Sequence, residues 1–266
     1  MTAEHDIAAT RQMGMLAALL DHDMPPWREG ELPPLGHWLL FPPVARQSAI
    51  GVDGHPRRAD SDDLPRRMWA GGRVRFLAPI PLDAAVVRET EQLKSEEKNG
   101  RSGRMLFVTL RHHIRANGVL AVEEEQDIVY REAAAQGASA RPPAPETATP
   151  LPQDARTIHP DPVQLFRFSA LTFNSHRIHY DRDYAVQQEG YPALVVHGPY
   201  IATLLMDHYL RAHPGAAIAG FAFRAARPIF DTEAFTVGSM QTDASTRLIA
   251  IDAAGGIAMS AELTRG

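Results

Sequence analysis

Two histidines separated by two residues form the most chemically suggestive cluster in the chain. His176 and His179 lie in the segment FNSHRIHYD, with Asn174 just before them and acidic residues just after. Imidazole can serve as a general base, a general acid or a metal ligand. A metal site needs further ligands, and His-x-x-His alone is a weak pattern for one. The spacing by itself leaves open a catalytic cluster, a metal site and a polar turn whose histidines satisfy backbone groups.

A second candidate is the segment VVHGPY at residues 195–200, where Gly198 precedes the predicted start of an apolar helix. Free N–H groups and the helix dipole at such an N-terminus stabilise negative charge. An oxyanion forming on a thioester carbonyl is one suitable guest. The structural alternative is that Gly198 permits a tight helix entry and that His197 packs or caps. Taken alone, this stretch favours the structural alternative.

The elements around these stretches predict an α+β protein. The run YIATLLMDHYLRAH is apolar on more than one face, which is typical of a helix wrapped by a sheet. Strand-like runs follow it at 217–225, 233–241, 246–252 and 257–264. Before the histidine cluster, QLFRFSALT is predicted as a strand, and Asp183 is predicted to cap a short helix, YAVQQE, that ends at Gly190.

The first half of the chain holds a similar meander but no evident matching helix. Runs at 84–95, 104–116 and 119–132 are separated by Asn-Gly pairs, a strong hairpin signal. Residues 50–68 are too rich in proline, glycine and charge for a helix, so this half is interpreted as degenerate. The segments FLAPIPLDAAVV and FRAARPIFDTEAFTV are similar in order, which indicates a diverged internal duplication.

A segment rich in alanine and proline divides the chain. We predict an N-terminal half over residues 1–131, a linker over 132–157 and a C-terminal half over 158–266 that carries the histidine cluster.

Composition excludes several classes of function. The chain has no cysteine, which rules out disulfides and thiolate chemistry. A net charge of −5 gives no global basic field for nucleic acid. No apolar stretch approaches the roughly 20 residues of a membrane span, and the first residues do not form a signal peptide. We therefore expect a cytoplasmic protein without nucleic-acid or membrane partners.

Taken together, FNSHRIHYD and the later His-Gly before a helix resemble the MaoC-like (hydratase-2) members of the hot-dog fold. The usual motif there runs small residue, Gly, Asp, any residue, Asn, Pro, aliphatic, His, and here the aliphatic-His ending is Ile178-His179. Asn174 stands at the usual aspartate and His176 at the usual asparagine. FNSHRIHYD and LPRRMWAGG (64–72) are similar to a branch with type-2 hydroxyacyl-thioester dehydratases and hydratases of C5-dicarboxylic CoA esters such as mesaconyl-CoA and itaconyl-CoA.

This resemblance implies a double hot-dog fold, in which two antiparallel sheets each wrap a helix and the acyl tunnel runs between the halves. It implies a lyase that adds water reversibly to an α,β-unsaturated acyl-CoA, with no metal and no cofactor, since CoA is part of the substrate. A C5-dicarboxylyl thioester is favoured over a plain fatty enoyl chain. Such chains often dimerise, so a homodimer is expected.

The resemblance also implies roles for residues. His179 would be the base that later returns a proton to the α-carbon, and the Gly198 N–H would bind the carbonyl oxygen. Asn174 is not basic but can orient water, and His176 could be a second acid/base or fix the tautomer of His179. A carboxylate from elsewhere could replace the missing aspartate, and Asp53 and Asp60 are the candidates.

Four further side chains are candidates for binding substrate. Arginine binds carboxylates and phosphates bidentately, so it could hold a substrate carboxylate or the CoA phosphates. The four are Arg66, Arg67, Arg177 and His197.

Other functions stay open at this level. One is a 3-hydroxyacyl-ACP or -CoA dehydratase of fatty-acid metabolism. A hot-dog thioesterase would need a carboxylate or an activated water near the carbonyl instead of the HRIH pattern. A non-catalytic thioester-binding subunit is supported by Asn174 and opposed by intact His179 and Gly198.

Overall fold

One ten-stranded antiparallel sheet runs through both halves of the chain. The computed structural model describes residues 2–57, 64–100, 103–133, 141–241 and 245–266. The strands are β1 (Thr2–Ile7), β2 (Arg66–Phe76), β3 (Ala85–Gly100), β4 (Gly103–Ala116), β5 (Val119–Arg131), β6 (Arg156–Ile158), β7 (Ile218–Ala225), β8 (Phe235–Gln241), β9 (Thr246–Ile251) and β10 (Ile257–Arg265). The helices are α1 (Thr10–Leu19), α2 (Pro162–Thr172), α3 (Arg182–Gln187) and α4 (Gly198–Ala212).

The order of strands shows that the second half repeats the first. Across the sheet it is β1-β3-β4-β5-β2-β7-β10-β9-β8-β6, so each half contributes five strands in the same relative arrangement. β2 and β7 pair at the centre and join the halves. The predicted pair of hot-dog halves, packed side by side with their sheets merged, is confirmed.

Hydrogen bonds support the predicted duplication. The Leu32 N–H donates to the Ile80 carbonyl at 2.8 Å, and the Val196 N–H donates to the Ile229 carbonyl at the same distance. Both acceptors lie in Pro-Ile pairs of the two similar segments. Arg73 and Ala222 are separated by the same number of residues as the two acceptors, Ile80 and Ile229. They face each other across β2 and β7. A pseudo-twofold axis therefore passes through the pair Arg73–Ala222.

The two halves differ most in their central helix. In α4 every residue from Tyr200 to Leu210 is buried, and the helix packs against β8, β9 and β10. This is the wrapped helix that its all-round apolar pattern predicts. At the equivalent position the first half has only a 3-10 turn, Gly36–Leu39, preceded by Pro33-Pro34. The expectation of a degenerate first half without a matching helix agrees with this turn.

The predicted meanders are present in both halves. Between β4 and β5, Asn117 and Gly118 have φ angles of 48° and 86°, the two positive values of a tight hairpin turn. Residues 141–155 of the predicted linker form no helix or strand, and β6 begins at Arg156. No helix in the described ranges is long and apolar enough to span a bilayer.

The segment before the histidine cluster corrects the sequence analysis. QLFRFSALT is not a strand but most of α2, a helix that begins with Pro162. Asp161 caps it, since its side chain accepts two backbone N–H bonds at 2.7 and 2.9 Å. The sequence analysis also does not predict the strand β1 or the helix α1.

The cap of α3 is a second correction. Asp181, not Asp183, precedes the helix, and its side chain accepts the Tyr184 N–H at 3.0 Å. Asp183 lies in the first turn of α3.

Candidate active site

Four chain segments meet at the boundary between the halves and form the candidate site. The histidine motif lies between α2 and α3, where residues Arg177–His179 make a single 3-10 turn. The helix entry at 195–198 lies behind it. The first half contributes the loop 51–55 and the start of β2. The predicted location of the substrate space, between the halves, is where these segments converge.

His179 is held as a neutral base. Its Nδ1–H donates to the Val195 carbonyl at 2.7 Å, because a carbonyl oxygen can only accept. The proton is therefore on Nδ1, and Nε2 carries the free lone pair. The side chain is buried, and burial lowers the pKa of His179 to about 4. An imidazole in this state can take a proton from water.

His197 supports His179 from behind. The two rings stack with centroids 3.7 Å apart and planes 20° apart. His197 has no exposed surface, and its Nε2 lies 2.8 Å from Ser169 Oγ. Burial holds the pKa of His197 well below its usual range. This position favours a supporting role over the predicted contact with substrate.

His176 lies between His179 and a histidine of the first half. Its ring centroid is 5.3 Å from that of His179, edge-on, and 4.1 Å from that of His55. It is 7% exposed, and burial, with the charges of His55, His179 and Arg67, lowers its pKa strongly. The backbone of Val195, not His176, fixes the tautomer of His179.

Asn174 has a structural task in this arrangement. Its side-chain oxygen accepts the His176 N–H at 3.0 Å and closes the turn that carries the motif. The predicted role of holding water would use the same oxygen, which has a second lone pair.

The loop 51–55 brings a carboxylate to the motif. Asp53 accepts the Arg177 N–H through its carbonyl at 2.8 Å, and its Oδ2 lies 2.9 Å from Nδ1 of His55. Burial raises the pKa of Asp53, but the hydrogen bonds and charge of His55 outweigh this and leave the pKa lowered, so the group is ionised. Of the two predicted carboxylates, Asp53 lies at the site, and Asp60 lies outside the described residues.

Sequence reasoning missed His55 altogether. It stands in the tripeptide Asp53-Gly54-His55, inside a turn-rich stretch from which the sequence analysis singles out only the carboxylates Asp53 and Asp60. The sequence signal that could have found His55 is the tripeptide itself, with an acid and a histidine on either side of a glycine.

The predicted arginines separate into two groups. Arg66 bonds to Glu189 at 2.7 Å, and Arg177 bonds to Asp181 at 2.6 Å and to the Val52 carbonyl at 3.0 Å. These contacts favour holding the fold over binding substrate. Arg67 has no ion pair within the described ranges, although its charge acts on His176. It is the candidate cation left for a ligand.

Gly198 opens the N-terminus of α4 toward β2. Its N–H donates to no acceptor in the described part of the chain. A Cβ built on Gly198 would lie 4.0 Å from the Trp69 carbonyl oxygen, with no nearer atom among the described residues outside its own helix and chain neighbours. The helix entry is therefore open on this side, and its N–H is available to a ligand.

Asp53, His55 and His176 also offer ligand atoms within 4.8 Å of one another. A cation there would compete with the hydrogen bond between Asp53 and His55. The expectation of no metal stays a prediction.

The buried histidines predict a loss of stability in acid. His176, His179 and His197 are neutral in the folded chain, whereas in the unfolded chain each takes up a proton near pH 6.5. The unfolded state therefore binds more protons as the pH falls, and stability, full above pH 6.5, decreases below it. Each such histidine should lower the free energy of unfolding by about 1.4 kcal/mol per pH unit below pH 6.5. Urea unfolding between pH 7.5 and 5.5 measures this decrease.

The matched variants for this measurement are His197→Gln and His159→Gln. The first removes one buried imidazole and should flatten the decline, whereas the second removes an exposed one and should leave it unchanged. Equal declines in both variants would contradict the assignment.

Comparisons with known proteins place this site in context. The family model for hydroxyacyl-thioester dehydratase type 2 matches residues 35–231. The chain is 46% identical over 237 residues to the mesaconyl-C(4)-CoA hydratase of Chloroflexus aurantiacus, covering 87% of this chain and 83% of that protein. It is 28% identical to the mitochondrial hydroxyacyl-thioester dehydratase type 2 of Schizosaccharomyces pombe, covering 75% and 74%.

Solved structures show the same fold. A MaoC-like dehydratase from Phytophthora capsici superposes with a TM-score of 0.72 at 13% identity, covering 100% of this chain and 95% of that one. HtdX from Mycobacterium tuberculosis gives a TM-score of 0.68 at 16% identity, covering 99% of each chain. The hot-dog architecture is shared, whereas these low identities carry no further assignment.

Proposed function

Because the chain belongs to the hydroxyacyl-thioester dehydratase type 2 family, we propose that it hydrates a C5-dicarboxylyl-CoA thioester, such as mesaconyl-CoA or itaconyl-CoA. The chain is an enzyme, a hydro-lyase of CoA thioesters, and the alternative of a non-catalytic subunit is set aside. One observation carries the proposed chemistry: His179, with an unprotonated Nε2, stacks on His197, and the next residue, Gly198, has an N–H without an acceptor among the described residues.

Hydration of an enoyl thioester uses both groups. The oxygen of water bonds to the β-carbon while Nε2 of His179 takes its proton, and the electrons of the double bond move to the carbonyl oxygen. The Gly198 N–H and the helix dipole stabilise the resulting enolate. Protonation of the α-carbon completes the addition. The reverse sequence is dehydration.

Arg67 supports a substrate with a second carboxylate. In mesaconyl-C4-CoA the free carboxylate is attached to the β-carbon, where the hydroxyl group is added. Of the three arginines predicted to bind substrate, Arg67 alone has no acidic partner in the described ranges, and its charge acts on His176. A guanidinium so placed can bind this carboxylate bidentately.

A second candidate function is dehydration of 3-hydroxyacyl thioesters on CoA or ACP. The observation that favours it is the 28% identity with the hydroxyacyl-thioester dehydratase of S. pombe. The same groups would act in the reverse direction, and a substrate without a carboxylate would not need Arg67.

The test offers the purified chain mesaconyl-C4-CoA, itaconyl-CoA and crotonyl-CoA and follows the loss of enoyl-thioester absorbance. We expect kcat/KM to be highest for a dicarboxylyl ester. Arg67→Gln should lower kcat/KM for that ester by about 10- to 100-fold, since a hydrogen bond to a charged group contributes about 1.5–3 kcal/mol.

Crotonyl-CoA is the internal control, because it lacks the carboxylate and its slower turnover should be unchanged by Arg67→Gln. Arg75→Gln controls for a loss of positive charge, since Arg75 bonds to Glu123 away from the motif. A preference for crotonyl-CoA, unaffected by Arg67→Gln, would favour the fatty-acid dehydratase instead.

We also propose that the enzyme works in the cytoplasm as a homodimer. The absence of cysteine fits a reducing compartment, and the merged sheet leaves β1 and β6 as edges for further contacts.

A further inference from the structure

Hydration needs two proton transfers, and the motif supplies one evident group. A base must take a proton from water, and an acid must give one to the α-carbon. Asn174, at the position of the usual aspartate, can do neither, because an amide is not ionisable at working pH. His179 would therefore perform both transfers in turn unless another part of the chain supplies a second group.

The loop 51–55 is built into the site. Besides the bond from Asp53 to the Arg177 N–H, the Gly54 carbonyl accepts the Ser175 hydroxyl at 2.5 Å. His55 packs its ring 4.1 Å from that of His176, and its charge acts on both His176 and His179. The ring of His176 therefore lies close to those of both His55 and His179.

The two outer histidines have opposite environments. His179 is buried, has no acidic partner in the part of the chain that the structure describes, and stays neutral. His55 is part exposed and has the ionised Asp53 2.9 Å from Nδ1. A carboxylate so placed accepts the Nδ1–H bond and fixes the orientation of the ring, with Nε2 on the opposite side. Environments that differ in this way separate an acid from a base in one site.

We propose that His55, held by Asp53, protonates the α-carbon during hydration while His179 takes the proton from water. This inference rests on the proposed function and names its second proton-transfer group. Asp53 acts through His55 and is a positioning residue.

The steps balance. The O–H bond of water breaks, its proton goes to Nε2 of His179, and the oxygen bonds to the β-carbon. The enolate then collapses, and the α-carbon takes the proton from Nε2 of His55. His179 is left protonated and His55 neutral. Before the next turnover His179 gives its proton to solvent water and His55 takes one from solvent water, so both return to their starting states.

The test is the pH dependence of kcat in the hydration direction for wild type, His55→Gln and Asp53→Asn. A general acid works only in its protonated form, so the kcat of wild type should have an alkaline limb. His55→Gln should lower kcat by about 10²-fold or more and abolish this alkaline limb. Asp53→Asn should lower kcat by a smaller factor than His55→Gln, because an amide oxygen can still accept the Nδ1–H bond of His55 but more weakly than a carboxylate.

The matched control is His113→Gln, which removes a histidine that also contacts a carboxylate, Glu123 at 3.3 Å, but in the β4–β5 pair. It should leave kcat and its pH profile unchanged. If His55→Gln lowered kcat but kept the alkaline limb, His55 would be structural and the inference overturned.

A readout without turnover separates this inference from the proposed function. Nitrogen-15 NMR of labelled histidines should show the ring signals of His55 and His179 shift when a saturated, unreactive acyl-CoA binds, while those of His113 stay in place. Ring signals of His55 that do not respond to the bound thioester overturn the inference even in an active enzyme. Inactivity of wild type on every enoyl thioester overturns the proposed function, whatever the spectra show.

Discussion

His179→Gln is expected to lower kcat for hydration by about 10²–10⁴-fold, the usual contribution of a general base. Glutamine can still donate its amide N–H to the Val195 carbonyl, which His179 bonds at 2.7 Å. It fills similar space beside His197 but has no basic nitrogen. KM should therefore change little while the chemical step is lost. Steady-state kinetics on the preferred thioester measures both constants.

His159→Gln is the control for this variant, because His159 is exposed on the loop before α2 and should keep full activity. Thermal unfolding of both variants checks that each is folded. A folded His179→Gln protein with more than a tenth of wild-type kcat would remove His179 from the role of base.

Gly54→Ala is expected to damage both stability and activity. Gly54 has a φ of +94°, and a Cβ there would lie 1.8 Å from the Ser175 carbonyl oxygen and 2.7 Å from its carbon. Both are backbone atoms of the motif, so the loop 51–55 must move away. We expect a loss of roughly 2 kcal/mol or more in the free energy of unfolding, at the upper end for backbone strain. kcat should decrease as far as in His55→Gln, since the loop carries His55.

Gly118→Ala separates the steric clash from the backbone angle. Gly118 also has a positive φ, +86°, but a Cβ there would have no atom of the described residues within 4 Å, its chain neighbours aside. This variant should lose about 1 kcal/mol and keep its activity. Equal effects of the two substitutions would mean that the contact with Ser175 does not matter. Urea unfolding and the absorbance assay give the two readouts.

Features with a local cause could be predicted from the sequence. The helix α4 follows from a continuous apolar run bounded by Gly-Pro and Pro-Gly, and the meanders follow from Asn-Gly turns between β-prone runs. QLFRFSALT was interpreted wrongly, because its phenylalanines suit strands and the cap at Asp161, which starts the helix, was overlooked.

The site was predictable only in part, for a related reason. His176, His179 and Gly198 stand in recognisable local motifs. His55 reaches the motif through contacts between residues more than 100 positions apart along the chain, such as Ser175 with Gly54, which leave no periodic signal. The partners of Arg66 and Arg177 depend equally on the fold, so the sequence could not single out Arg67.

The pseudo-twofold axis through Arg73 and Ala222 has a consequence for how the enzyme can evolve. In a symmetric dimer each residue serves two identical crevices, and one mutation alters both. Here the positions equivalent to Arg67 and Trp69 are Ala216 and Ile218, beside a cavity of about 260 Å³ without catalytic histidines. Each chain is thus expected to turn over one thioester at a time. Residues that the first half contributes to the site can therefore change, and alter the preference for the acyl group, without a matching change in the half that carries His179.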